Sequence, residues 1–393
     1  MSWLQKVLEE HSTKRYYVEY RRYLSNHISH GIVALERLGA TEDRTRQWIK
    51  WYAEAKLAEK PREDDHVDDD PITPEELDDV TGKRGRFYSI LNYYAKKLED
   101  CKGDVDTLVR NEFPQLSNGL QATLLHSMIQ LGYGYEAKQP RIILEGVAYL
   151  RHSYIPIVFD KNAPANDINK FGKGNTDIVD VLKALKRDDE LFEHMEKRSI
   201  ELEAGWVSSK PQYQIRALTE KGDKLIGYAN QIKVPSDRLS DPVRVADWLL
   251  DQIITVFTMA EDERRNDFVL LHGVTCTWSV RQIVPLLDVT DALEAIRSMV
   301  CVLFSAYICT GGANLTNPVD TSIKVDAAAW EELIKRAIVP DVERDEHVYK
   351  LIQVCHEQWK KRGNEQNSAL YFTASKICLE NPFPPFKPSK PRL

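Results

Sequence analysis

The spacing of the apolar residues is the feature that most constrains how this chain folds. Apolar residues recur at intervals of three and four positions in most segments of the 393 residues, and alternating, strand-like runs flanked by turn residues are almost absent. Intervals of three and four place side chains on one face of an α-helix. The sequence therefore predicts an all-α fold: a single large domain over residues 1–393, in which paired helices stack around a central cavity.

The same periodicity predicts where the helices lie. We expect them at residues 15–38, 42–58, 84–100, 117–136, 140–157, 175–187, 190–203, 210–230, 241–260, 266–285, 289–310, 325–336, 344–361 and 366–379. Residues 60–79 are rich in Asp, Glu and Pro and contain too few apolar side chains to pack, which predicts a solvated loop. The tail over residues 380–393 contains five prolines and is expected to lie extended.

Charge and composition exclude several classes of protein. The formal net charge of −7 argues against nucleic-acid binding, which requires clustered Lys and Arg. No run reaches the roughly 18 consecutive apolar residues of a membrane-spanning helix, and residues 1–15 lack the apolar core of a secretory signal. The six cysteines form no C-x-x-C pair, which predicts buried free thiols. We expect a cytoplasmic protein; the sequence leaves its oligomeric state open.

Sequence motifs for common cofactors and nucleophiles are missing. The chain has no G-x-G-x-x-G after a strand, no G-x-x-x-x-G-K-[ST] loop and no G-x-S-x-G elbow. These motifs mark dinucleotide-binding folds, P-loop proteins and serine hydrolases, respectively. A flavin-dependent oxygenase would normally contain the first of them, so a flavin is not expected.

The ten histidines fall into two groups by their sequence surroundings. His11, His66 and His194 stand among charged residues, which predicts surface positions without a role. His152 is next to Arg151 near a predicted helix end, where it could line a pocket, cap the helix or lie on the surface. The remaining histidines lie in apolar helical segments, where an imidazole is unfavourable unless it is hydrogen-bonded or binds a metal.

Candidate metal ligands come from four of these apolar segments. His27 and His30 are three residues apart and would share one helical face. His126 and His272 each stand among leucines with small neighbours. His347 belongs to a fourth segment, residues 344–361, in which His356 lies nine positions further on and would face the opposite side. One buried histidine is usually a core residue, but five in four helices indicate a shared site.

Lys350 lies three residues after His347 and therefore on the same face of the predicted helix. Two interpretations are open. The side chain could extend to solvent along its aliphatic stem. Alternatively, CO₂ could carbamylate the amine, which turns a costly buried cation into an anionic oxygen ligand for a metal.

The sequence resembles the questin oxidase-like family, whose best-known members act on fungal anthraquinone-type polyketides and include enzymes described as Baeyer–Villiger oxidases. The resemblance extends over about residues 16–378. The motifs that carry it are NHISHG at 26–31, ALERLGA at 34–40, LHS at 125–127, GYGYEA at 132–137, LHGVT at 271–275 and EHVYK at 346–350. Each motif is weak alone, but their order along the chain is fairly specific.

The resemblance implies a mononuclear non-haem iron site that uses Fe(II) and O₂, built from four histidines and a carboxylated lysine. Carried onto this sequence, the ligands are His126, His272, His347, Lys350 and one histidine of the first segment. Between the two candidates there we favour His30 as the ligand, with His27 as a catalytic residue that contacts a ligand or the substrate.

The implied substrate is a small phenolic, quinone or polyketide-like molecule. Its ring would pack against Tyr133, which we also expect to be a catalytic residue, or against Tyr135. The predicted reaction opens a ring C–C bond or inserts oxygen into it. The cavity enclosed by the helices would thus hold both the metal and the substrate.

Three other interpretations compete with a metal-dependent oxygenase. A metal-free Baeyer–Villiger-type monooxygenase would consume NADPH and use the histidines as acids and bases, but a nucleotide-binding motif is missing. A helical interaction protein would use the histidines as buried hydrogen-bonding residues. Metal-dependent hydrolysis with a carbamylated lysine would need a second ion, for which Asp345 and Glu346 are the nearest carboxylates.

Overall fold

The computed structural model describes residues 2–21, 23–57, 70–205, 208–319, 325–340, 342–362 and 368–384 and confirms the predicted all-α fold. The helices are α1 (Trp3–Glu10), α2 (Ile28–Arg37), α3 (Glu42–Lys56), α4 (Leu77–Val80), α5 (Phe87–Asp100), α6 (Val105–Leu116), α7 (His126–Glu136), α8 (Pro140–His152), α9 (Ile178–Leu185), α10 (Asp189–Gly205), α11 (Lys210–Thr219), α12 (Gly222–Ala229), α13 (Pro242–Met259), α14 (Phe268–Ile283), α15 (Val289–Cys309), α16 (Ala327–Ile338), α17 (Glu346–Arg362) and α18 (Ser368–Glu380).

One small sheet interrupts the first predicted helix. Strand β1 (Glu19–Tyr20) pairs antiparallel with β2 (Leu24–Ser25), so the helix expected at 15–38 begins only at Ile28. The prediction for residues 15–27 was therefore wrong. The apolar pattern does not distinguish the two structures here, because Tyr16 and Val18 before the hairpin pack against the same core as Ile28 at the start of α2.

Two further helix predictions were wrong in part. Residues 117–125 form short 3₁₀ turns rather than the first half of a helix, because Thr123, Leu124 and Leu125 adopt left-handed backbone angles. The helix expected at 210–230 is split into α11 and α12. Helices α1 and α6 were not predicted, although Ser2 and Asp104 cap them with side-chain hydrogen bonds that are typical of helix starts.

Close helix contacts depend on small residues. A Cβ atom added at Gly132 of α7 would lie 2.3 Å from the Cβ of Ser279 in α14, and one added at Gly146 of α8 would lie 2.4 Å from the Cα of Leu131 in α7. Helix α7 is thus held tightly between α8 and α14. A large apolar core connects these helices with elements from both ends of the described chain.

Helix α15 is long and apolar enough to cross a membrane by length and composition alone, the single such helix in the described parts of the chain. Of its most apolar window, 89% is buried inside the protein. It packs against α11, α12, α13 and α14, as the core helix of a globular protein does.

The two irregular segments predicted from the sequence lie partly outside the described residues. Of the acidic segment 60–79, residues 70–79 are described, and they include the start of α4. Of the proline-rich tail, residues 381–384 follow the end of α18 and reach the central cavity through Phe383 and Pro384.

Candidate metal centre

Four histidines from distant parts of the chain meet in the protein interior. His27 immediately precedes α2, and His126 is the first residue of α7. His272 lies in α14 and His347 lies in α17. One ring nitrogen from each lies within 4.8 Å of the corresponding nitrogens of the others, and all four residues are buried. The structure therefore brings together imidazoles that could hold one metal ion.

An unusual backbone positions His126. The φ angles of Thr123, Leu124 and Leu125 are +49°, +52° and +73°, and α7 begins directly after them. Left-handed backbone costs roughly 1–2 kcal/mol for each residue with a side chain. The turn places the carbonyl oxygen of Thr123 2.5 Å from Nδ1 of His126. Strained backbone of this kind is common at functional sites.

Hydrogen bonds to backbone oxygens indicate where two of the imidazoles carry their proton. Nδ1 of His126 donates to the Thr123 carbonyl, and Nδ1 of His272 donates to the Phe268 carbonyl at 2.6 Å. Because a carbonyl oxygen only accepts hydrogen bonds, the proton is assigned to Nδ1 in both rings. Each Nε2 atom then presents a lone pair to the centre of the cluster.

The Nδ1 atom of His347 has a carboxylate partner instead. It lies 2.5 Å from Oδ1 of Asp345, which again assigns the proton to Nδ1 and leaves Nε2 with its lone pair. Asp345 is one of two carboxylates here: Oε1 of Glu346 lies 3.4 Å from Nδ1 of His27 and 3.5 Å from Nδ1 of His347. Partners of this type orient histidines that bind metals.

The Nε2 atoms lie close enough together to bind one cation. Nε2 of His272 lies 2.9 Å from Nε2 of His126 and 3.0 Å from Nε2 of His347. With both protons on Nδ1, neither pair can form a hydrogen bond, and the facing lone pairs repel each other. A metal ion between them would replace this repulsion by coordination.

The same distances also fit a particular coordination geometry. Two nitrogens bound at about 2.1 Å lie about 3.0 Å apart when they subtend a right angle at the ion, and about 3.4 Å apart at a tetrahedral angle. The observed 2.9 Å and 3.0 Å separations match the right angle. Nε2 of His272 is thus spaced from Nε2 of His126 and from Nε2 of His347 as two ligands of one ion can be.

Neutral imidazoles are favoured throughout the cluster. Burial lowers the pKa values of His27, His126 and His272 well below the ordinary histidine value, and the charge of nearby Lys350 lowers them further. Burial also lowers the pKa of His347, although Asp345 acts in the opposite direction. A neutral imidazole is the form that binds a metal, so at neutral pH these rings need not lose a proton first.

At the first helix, His27 joins the cluster rather than the favoured His30. The Nε2 atom of His27 is buried without a hydrogen-bond partner among the described residues, and its ring centroid lies 4.4 Å from that of His126. The ring of His30 stacks on Tyr133, with centroids 5.3 Å apart, and lies 5.4 Å from the ring of His27. The two rings are thus neighbours, but only His27 contributes a nitrogen to the cluster.

Lys350 is fully buried on α17, one turn after His347. Its Nζ atom has no hydrogen-bond partner among the described residues, so the amine does not extend to solvent. Burial lowers the pKa of Lys350 to about 8, although Glu346 and Asp345 raise it. An amine without an acceptor beside four imidazoles requires a chemical explanation.

A cavity of about 360 Å³ opens next to the imidazoles, a volume suited to a small molecule. His27, His126 and His347 line it directly. Its aromatic wall includes Phe268, whose ring centroid lies 4.4 Å from that of His272, and Phe383, 5.5 Å from Phe268. The other lining residues with aromatic or charged side chains are Tyr20, Tyr23, Lys56, Arg264, Asp267, Asp345 and Glu346.

The tyrosines predicted to contact the substrate lie elsewhere. Tyr133 is fully buried between Trp278 and His30, donates a hydrogen bond to Gln353 at 2.8 Å, and is not among the residues that line the cavity. Tyr135 donates to Asp106 at 2.7 Å. The cavity adjoins His126, the first residue of α7. Both tyrosines follow His126 by seven or more residues on this helix and therefore lie away from the cavity.

The remaining histidines are distributed differently from the prediction. His11, expected on the surface, is only 6% exposed, and His152 is fully buried between Phe87 and Tyr149. His194 is half-buried, and His66 lies outside the described residues. His356 packs between Trp330 and Trp359, away from the cluster, as its position on α17 predicted.

Sequence reasoning missed three kinds of site residue. Asp345 and Glu346 were noted only as carboxylates for a second metal ion, although the sequence DEH at 345–347 could have indicated a carboxylate paired with a histidine. Lys56, at the end of α3, contacts both carboxylates, and no local sequence feature indicates this role. The aromatic wall comes from residues scattered between β1 and the tail.

The fold and the site together define an all-helical protein with a buried cluster of four imidazoles beside a small-molecule cavity. A family model described as questin oxidase-like matches residues 24–355. The chain therefore belongs to the questin oxidase-like family, as its motifs indicated. A comparison with curated proteins gives no match. Family membership indicates an oxidoreductase, an oxidase or oxygenase that acts on polyketide-like substrates.

Proposed function

We propose that this protein is a mononuclear non-haem iron oxygenase that opens a ring of a phenolic, quinone or polyketide-like small molecule, or inserts oxygen into it. The observation that carries the proposal is the position of Nε2 of His272, which lies 2.9 Å from Nε2 of His126 and 3.0 Å from Nε2 of His347. The same observation supports a metal site over a metal-free, NADPH-dependent oxidase, in which these rings would repel one another.

In this proposal His27 supplies the fourth imidazole in place of His30. Imidazoles suit several transition metals, and iron(II) is the one that also serves an oxygenase without flavin or haem. Bound there, iron(II) would supply the binding and reduction of dioxygen. Thr123, Phe268 and Asp345 hold the imidazoles of His126, His272 and His347 in their Nδ1-protonated form, which leaves each Nε2 lone pair available to the ion.

Lys350 completes the donor set if its amine is carbamylated. The neutral amine attacks CO₂, an N–C bond forms, and one proton is released to give an anionic carbamate. The pKa of about 8 leaves part of the lysine in the neutral form near pH 7. A carbamate would replace an unpartnered buried cation by a negative charge, which a divalent metal ion stabilises.

The cavity determines what kind of substrate reaches the imidazoles. Its volume of about 360 Å³ suits a small molecule. The rings of Phe268 and Phe383 form an apolar wall beside His347, against which a flat ring can pack. Charged side chains such as Arg264 can bind the oxygens of a phenol or quinone.

The test is oxygen consumption by protein that has been freed of metal and then loaded anaerobically with a chosen ion. Protein loaded with iron(II) is expected to consume oxygen when phenolic or quinone compounds are added. Protein loaded with zinc, which does not change oxidation state, should consume none. Oxygen consumption that requires NADPH and continues in the presence of a strong chelator would contradict the proposal and favour a metal-free oxidase.

A further inference from the structure

Lys56 links the metal centre to the end of a distant helix. It is the last residue of α3, and its Nζ lies 2.9 Å from Oδ2 of Asp345 and 3.2 Å from Oε2 of Glu346. Its side chain is 23% exposed, whereas that of Glu346 is 1% exposed. One ammonium group thus holds two carboxylates that precede the ligand His347.

These two carboxylates and His347 are themselves a set of metal-binding groups. One ligand atom from each of Asp345, Glu346 and His347 lies within 4.8 Å of the others. Glu346 is buried and Asp345 is half-buried, and adjacent carboxylates in such surroundings repel each other unless a cation lies between them. In this protein the cation is the Lys56 ammonium group. Burial alone would lower the pKa of Lys56, but Glu346 and Asp345 raise it above the ordinary lysine value, so the group is charged at neutral pH.

The carboxylates use their other oxygens to hold the imidazoles. Oδ1 of Asp345 accepts from Nδ1 of His347 at 2.5 Å, and Oε1 of Glu346 lies 3.4 Å from Nδ1 of His27. Lys56 contacts only the remaining oxygens, Oδ2 and Oε2. The two sides of each carboxylate therefore face different cations: the lysine on one side and the proposed metal, through an imidazole, on the other.

We propose that the Lys56 ammonium group takes the place of a second metal ion and keeps the centre mononuclear. The inference rests on the proposed metal centre. Lys56 balances the charge of Asp345 and Glu346 and holds them as acceptors for the imidazoles. Removal of its charge leaves an adjacent pair of carboxylates with the oxygen ligands that a divalent cation such as Mn²⁺ prefers.

The experiment measures how many Mn²⁺ ions each chain binds at saturation, by elemental analysis and by electron paramagnetic resonance. Wild-type protein is expected to bind one ion with the spectrum of an isolated Mn²⁺. The Lys56→Met variant is expected to bind two, with a spectrum broadened by coupling between the neighbouring ions. Adding Glu346→Gln to Lys56→Met should return the number to one.

Two matched variants control for indirect effects. Lys56→Arg keeps the positive charge and should bind one ion. Lys50→Met removes a lysine from the same helix whose side chain is 78% exposed, and it should also bind one. Circular dichroism checks that each variant is folded.

The outcomes separate this inference from the proposed function. Wild-type protein that binds no Mn²⁺ would contradict the metal centre and the inference together. One ion in both wild-type protein and Lys56→Met would overturn the inference alone. A coupled pair of ions in wild-type protein would also overturn it, and this result does not depend on whether the Lys56→Met variant folds.

Discussion

His27 and His30 differ by three positions but have different surroundings. His27 is the residue before α2 and lies among the other imidazoles, with ring centroids 4.4 Å from His126 and 4.8 Å from His347. His30 lies one turn into the helix and stacks on Tyr133. The choice between them depends on the residue at which the helix begins, which the periodicity of the sequence does not fix.

We predict that His27→Ala weakens metal binding at least about tenfold, whereas His30→Ala retains it, because only His27 contributes a nitrogen to the cluster. The measurement is a competition titration with a coloured chelator, using iron(II) under anaerobic conditions. Both substitutions remove a buried imidazole, so each serves as a control for the other's effect on packing. Tighter binding by His27→Ala than by His30→Ala would assign the ligand to His30.

Two of the histidines, His126 and His272, could be identified from sequence because each stands in a strongly apolar segment that otherwise excludes a polar ring. His347 could be identified because it lies one helical turn before Lys350, and the structure places all three histidines together. The backbone groups that form hydrogen bonds with these imidazoles could not be identified from the sequence. The carbonyl of Thr123 reaches His126 through a left-handed turn of three residues with side chains, and such a turn has no sequence signal comparable to glycine.

Among the secondary-structure elements, the long amphipathic helices were predicted closely. Helices α13, α14, α15 and α17 begin and end within two residues of the predicted bounds. The errors occur where tertiary packing overrides a local pattern, as in the hairpin of β1 and β2 and in the turns before α7. Both places adjoin the site: Tyr20 and Leu24 of the hairpin and Thr123 of the turn line the cavity.

The separation of α7 and α14 determines whether His126 and His272 can meet. Gly132 of α7 contacts Ser279 of α14 so closely that an added Cβ would lie 2.6 Å from the Cα of Ser279. We predict that Gly132→Ala pushes these helices apart, lowers metal affinity and destabilises the fold by about 1–3 kcal/mol. Metal titration and chemical unfolding measure the two effects.

Gly227→Ala in α12 is the matched control. Apart from its chain neighbours and its own helix backbone, no atom of the described residues lies within 4 Å of a Cβ added there, and an alanine inside a helix is favoured over glycine by about 0.5–1 kcal/mol. This variant should be slightly more stable than the wild type and bind metal normally. Equal metal affinity in both glycine variants would show that the close contact at Gly132 does not position the imidazoles.

The molecule as a whole contains several buried histidines that must stay neutral. Burial lowers the pKa of His152 to about 3, and the nearby charge of Arg84 acts in the same direction. Neither ring nitrogen of His152 has a hydrogen-bond partner among the described residues. Below the ordinary histidine pKa of about 6.5, the unfolded chain takes up a proton that the folded protein excludes. Acid therefore favours unfolding between pH 6.5 and pH 3.

We predict that His152→Leu makes the free energy of unfolding less sensitive to acid. Between pH 7 and pH 5, wild-type protein without metal should lose about 2 kcal/mol more than the variant, because one such group contributes about 1.4 kcal/mol per pH unit below pH 6.5. Urea unfolding at the two pH values measures the difference. A parallel loss in both proteins would show that His152 is protonated in the folded state.

The most direct measurement is the metal content of tag-free protein purified without a chelator, determined by plasma mass spectrometry. The cluster of His27, His126, His272 and His347 predicts about one iron ion per chain. Protein that contains no metal, and binds none after anaerobic addition of iron(II), would contradict the proposed iron centre and leave the four imidazoles to serve a metal-free oxidase.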